Sequence, residues 1–159
     1  MTARMAVAAV LAVGLAAAGC GSSSESKSMS SAPTSTATTA ALSKPMFLAK
    51  GNAICKRGNR EINAEGRRLF TKNRRPTRAQ VMKFAQSAIP IIQRELNGVR
   101  ALPAPAGHQA TVKKVVDTAQ KDLDKVKANP ALLGGKADPF KDANKLARAY
   151  GLTACGSGG

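Results

Sequence analysis

Tryptophan is absent from this chain, and its aromatic complement is one Tyr and four Phe among 159 residues. A glycosidase or sugar-binding cleft is normally lined by aromatic faces, so carbohydrate chemistry is disfavoured from the start. Histidine is represented once, at His108. A nucleophile needs a base beside it, and a zinc, haem or di-iron site needs ligands clustered at fixed spacings. The chain has no C-x-x-C-H and no pair of E-x-x-H motifs. No catalytic residue, metal or cofactor is therefore expected, and the protein reads as a non-enzyme. His108 reads as surface decoration or a helix-start residue. Acidic residues are also scarce, 9 against 25 Lys and Arg, for a net charge of +16. Such a surface suits anionic partners, or it serves solubility alone.

Long apolar runs are missing as well. The one run, Met5 to Ala18, is too short for a membrane span and reads as a secretion leader behind the positive charge of Arg4. It closes on Ala18-Gly19-Cys20, which resembles the bacterial lipobox; Ala17 stands where that motif prefers Leu. The resemblance implies lipid attachment at Cys20 and a product anchored by lipid on the extracytoplasmic face of the cell membrane. The alternative is an ordinary leader whose product is soluble. With Cys20 lipidated, Cys55 and Cys155 remain as a pair outside the reducing cytosol, and a disulfide between them is expected. A core so poor in aromatics benefits from such a staple.

Residues 1–19 thus form the leader. Residues 20–42, rich in Ser, Thr and Ala, bury too little to offset ordering entropy and read as a flexible tether. Residues 43–156 carry four helical patterns, and 157–159 are a disordered tail. The first helix is expected from about Lys44 to Lys72, capped by Ser43, with Phe47, Gly51, Ile54, Cys55, Gly58, Ile62 and Leu69 on one face. Thr77 to Gln80 match a capping box ahead of a second helix to about Arg100, along which Val81, Phe84, Ala85, Ala88, Ile91, Ile92 and Val99 share a stripe and Pro90 falls opposite. Beyond the Pro-rich hinge 102–107, Val112, Val115, Val116, Ala119, Leu123 and Val126 mark a third helix ending near Asn129-Pro130. Asp138-Pro139 opens a short fourth, with Phe140, Ala143, Ala147 and Tyr150 inward and Gly151 ending it. Short connections make sequential helices antiparallel, so the expected fold is an all-α, up-down-up-down four-helix bundle stapled by one disulfide.

Gly51-Asn52-Ala53-Ile54-Cys55, the Leu102-Pro103-Ala104-Pro105 hinge and Tyr150-Gly151-Leu152-Thr153-Ala154-Cys155-Gly156 together resemble a group of short actinobacterial secreted lipoproteins. That resemblance implies a helical, disulfide-bearing, surface-anchored module and carries no activity.

Two carboxylate groupings read as ion pairs. Asp117, Asp122 and Asp124 lie among lysines on the polar side of the third helix, and Glu61 and Glu65 stand four apart beside arginines. The remaining feature is a basic stripe on the first helix, Lys56, Arg57, Arg60 and Arg67, continued at the turn by Arg74, Arg75 and Arg78. Guanidinium groups so spaced fork onto phosphates without reading sequence. The leading expectation is a binding or scaffold module that meets an anionic envelope polymer or a protein partner through this stripe. Sequence-specific nucleic acid is disfavoured, because no aromatics interleave for stacking. The alternative is a carrier holding a small apolar ligand or lipid between the helices, where Gly51, Gly58 and the Pro90 bend prevent close packing.

Overall fold

The computed structural model describes residues 40–70 and 75–157. The expected leader, Cys20 with its expected lipid attachment, most of the expected tether, Arg74 and the last two residues lie outside the described residues. Among the described residues the fold is all-helical, without strands: α1 (Lys44–Leu69), α2 (Arg78–Ala101), α3 (Gln109–Ala128), a 3₁₀ segment (Pro130–Gly134) and α4 (Lys141–Tyr150).

Local chemistry explains the starts of the first two helices. Ser43 caps α1 by accepting from Met46 N, and Pro45 sits in the first turn, where no intrahelical donor is lost. Thr77 and Gln80 form the full capping box on α2, and the Gln80 amide also donates to Leu69 O at 2.8 Å, tying the end of α1 to the start of α2. At the opposite ends, Leu42 N donates to Pro103 O. α2 continues through Pro90, which is exposed.

α4 begins later than Asp138-Pro139 suggests. The Asp138 carboxylate accepts from Phe140 N at 2.8 Å and from the Asn144 amide at 2.9 Å, making a local turn that delays the helix to Lys141. The 3₁₀ segment has no counterpart in the sequence reading, which left residues 130–137 as loop. It packs on α2 and α3.

α1 packs on α2, α2 on α3, and α3 on α4, whereas the backbones of α1 and α4 stand farther apart and the two helices meet through Phe47 and Tyr150. Their connection is completed by the C-terminal segment. Gly151 adopts a left-handed conformation (φ 107°) that ends α4, and the chain then returns along α1. Leu152, 1% exposed, fills the space over Gly51, where a Cβ would stand 2.6 Å from its Cδ2. Asn52 grips the same segment twice: its amide donates to Gly151 O at 3.1 Å, and its carbonyl oxygen accepts from Ala154 N at 2.8 Å. Two turns on, the Asn59 amide donates to Ala154 O at 2.7 Å. Cys55 and Cys155 are joined by a disulfide across a sequence separation of 100. Around this seam Phe47, Val112, Val116, Tyr150 and Leu152 form a dense core, with Tyr150 edge-on to both Phe47 and His108.

Candidate functional site

Beside that seam the interior is not filled. A cavity of about 600 Å³ lies among the helices, reached by side chains of α1, α2, α3, α4, the 3₁₀ segment and the strap that joins it to α4. Its origin is compositional. Ala88 of α2, Ala119 of α3, and Ala143 and Ala147 of α4 face it, and small side chains cannot bridge the space that α1 and α4 leave between them. Larger side chains line its far end: Phe70 and Phe84, with ring centroids 5.2 Å apart, then Ile62, Ile92 and Leu96. Leu133 of the 3₁₀ segment and Phe140 of the strap also line it, and the disulfide forms part of its wall. Native interiors rarely leave voids larger than a water molecule. Unfilled core volume destabilises by about 24 cal/mol per Å³, which for this cavity sets an upper bound of about 14 kcal/mol. The bound is not reached, because the exposed lining residues Asn63, Leu132 and Lys136 mark a mouth open to water.

The polar groups of the wall are mostly engaged. Asn59 is bonded to the C-terminal segment and Asn144 to Asp138. Glu95 is the exception. Its Oε1 is buried and has no hydrogen-bond partner among the described residues. The carboxyl rests against Gly58 of α1, where a Cβ would come within 2.7 Å of Glu95 Cγ and closer still to the carboxyl. Burial pushes the acid up to about 7, against the lowering influence of Arg94 and with a further rise from Glu61. Arg94 is itself ion-paired with Glu61 across α1 and α2.

Glu95 escaped the sequence reading. It stands seven residues after Ala88, three after Ile92 and four before Val99, on the apolar stripe of α2. A lone acid at a core position of an amphipathic helix was the available signal. The glycines also act differently from expectation: Gly51 and Gly58 leave no gap, since Leu152 covers one and the Glu95 carboxyl the other.

Of the basic stripe, Lys56, Arg57, Arg60 and Arg67 are exposed along α1, and Arg75 and Arg78 are exposed beside the start of α2. None of these six is ion-paired among the described residues. Glu65 pairs with Arg68 at 2.6 Å, and that bond holds its carboxyl below the usual range. Glu61 reaches across to α2 instead of pairing within its helix. On α3, Asp117 pairs with Lys113 and Asp124 with Lys127. Asp122 departs from the solvated face expected of it: it is buried, 6% exposed, and bonded to Lys125 at 2.9 Å. His108 is the N-cap residue of α3, its ring against Tyr150. Among the described residues no cluster of His, Cys, Asp or Glu could hold a metal, and no helix is long and apolar enough to cross a membrane.

No protein-family model, no curated protein and no solved structure matches this chain.

Proposed function

We propose that the domain is a carrier of a small apolar molecule, held in the cavity between the helices, on a lipid-anchored protein of the extracytoplasmic face. The observation that carries this reading is the cavity itself: about 600 Å³, walled largely by aliphatic and phenyl side chains, with the Glu95 side chain in its lining. Ligand sites in proteins span about 300–1,000 Å³ and combine apolar walls with a few placed polar groups. Lipid attachment at Cys20 would keep the carrier at the membrane, the natural source of an apolar cargo. The reading is non-enzymatic and needs no cofactor. The finer architecture proposed is the up-down-up-down bundle, supported by the bonds Gln80–Leu69 and Leu42–Pro103, which join opposite ends of α1 and α2.

The test is organic extraction of the exported protein, followed by mass spectrometry of what is released. An apolar molecule should be recovered in stoichiometric amount from the native protein and lost from an Ala119→Phe variant, whose ring would occupy the cavity. Equal recovery from both, or none from either, defeats the reading.

The basic stripe supports a second role, docking on an anionic envelope polymer or protein. Its favouring observation is that Lys56, Arg57, Arg60 and Arg67 are exposed on one helix with no intramolecular acid bound to them among the described residues. This surface lies outside the cavity lining, so the two roles are compatible.

A further inference from the structure

The polar equipment of the cavity narrows the class of molecule it would accept. Asn59 and Asn144 are committed to backbone and side-chain bonds within the protein. Lys136 and Asn63 lie exposed at the mouth. Within the walls that α1 to α4 contribute, Glu95 is the one ionisable side chain among the described residues; its buried, unpartnered Oε1 lies against Gly58, so the rest of the carboxyl is what can meet an occupant.

We infer that the occupant is an uncharged amphiphile that buries about 20 non-hydrogen atoms, at roughly 30 Å³ each, the liquid volume of a water molecule, and whose polar end accepts a hydrogen bond from the neutral Glu95 carboxyl. This rests on the carrier reading and specifies its ligand. The charged and titratable groups around Glu95 are few. Glu61 of α1 and Arg94 of α2 are bound to each other, while Asp138 and Lys136 belong to the strap. The cavity walls contributed by α3 and α4 carry no ionisable side chain. An anionic headgroup would therefore meet no free cation in the interior. A cationic one would have to strip water from two charges in an apolar wall, a cost that the attraction between them repays only with excellent geometry. A neutral donor meeting a neutral acceptor avoids both penalties. Burial favours the same state, since a carboxyl in this wall keeps its proton to about pH 7. An ester, ketone or ether oxygen at one end of an alkyl chain has the required chemistry.

The experiment is a Nile red displacement titration of the purified protein with three probes sharing a 12-carbon alkyl or acyl chain: dodecane, methyl laurate and dodecylamine. It is run at about pH 6 and about pH 8.5, on either side of the Glu95 titration. Methyl laurate should bind most tightly at the lower pH, about 5-fold better than dodecane, the worth of one hydrogen bond. Its affinity should fall about 5-fold or more at the higher pH, as the donor proton is lost. Glu95→Gln keeps an N–H donor and should bind methyl laurate about equally at both values; Glu95→Ala should reduce methyl laurate to the level of dodecane. Dodecylamine binding most tightly, with affinity rising with pH, would overturn the inference in favour of an ionic pair. Equal affinities for all three probes, unchanged by either variant, would overturn it while leaving an apolar carrier. Failure of every probe to bind would remove the carrier reading together with it.

Discussion

The Glu95 carboxyl lies against the bare α-carbon of Gly58, so that a helix position without a side chain on α1 makes room for an acid on the apolar stripe of α2. The pairing predicts the behaviour of Gly58→Ala. Alanine is preferred to glycine within a helix by about 1 kcal/mol, but its methyl would occupy the space of the carboxyl. The flexible end of Glu95 should give way into the cavity. Stability measured by urea denaturation should change by no more than about 1 kcal/mol, while methyl laurate binding weakens.

Glu95 also predicts a pH dependence of stability. Its folded value is raised to about 7 from an ordinary 4.5, so between these values the folded protein holds a proton that the unfolded chain has released. Stability contributed by this group is greatest below about pH 4.5, declines as pH rises to about 7, and then levels off. The full difference would be about 3 kcal/mol, and the water reaching this half-buried side chain should reduce it to about 1–2 kcal/mol. Glu95→Gln removes the effect. Denaturation curves should show it more stable than the parent by about that amount at pH 8 and little different at pH 4.

Much of the helical framework was legible because its signals are local. Ser43, the Thr77–Gln80 box, and the valine stripe from Val112 to Val126 specify helix starts and buried faces without reference to distant residues. The pairing of Cys55 with Cys155 was legible by elimination. A space between the helices was expected at Gly51, Gly58 and the Pro90 bend, and its actual place was not legible, because periodicity puts Ala88, Ala119, Ala143 and Ala147 inward without saying whether their small side chains meet. That depends on how far apart α1 and α4 stand, which is set by the return of residues 151–156 along α1. Asn52 and Asn59 were hidden for the same reason: their partners lie 102 and 95 residues away in the chain.

Those asparagines carry a prediction of their own. Asn52→Ala leaves Gly151 O and Ala154 N without their side-chain partner, in a part-buried setting. A loss of about 1–3 kcal/mol is expected, with protease cleavage after α4 as a sensitive readout. Cys155→Ala removes the covalent tie of the same segment. For a closed loop of about 100 residues the chain-entropy model gives about 4–5 kcal/mol, and the loss on removing a native disulfide typically falls at about 2–5 kcal/mol. Denaturation with and without reductant should show that loss in the parent and no further change in the variant.

The basic stripe is tested separately. Charge reversal at Arg57, Arg60 and Arg67 should abolish retention on anionic envelope polymers at low salt without lowering the thermal midpoint, since these exposed side chains pair with no acid among the described residues. Unchanged retention would remove this second role.

The central claim, that the space between the helices is a binding site, is tested most directly by titrating the purified protein with Nile red and following its emission. A saturable one-to-one rise is expected in the parent, and its loss in folded Ala119→Phe. A linear, unsaturable response in the parent, or the same saturable binding in both proteins, would contradict it.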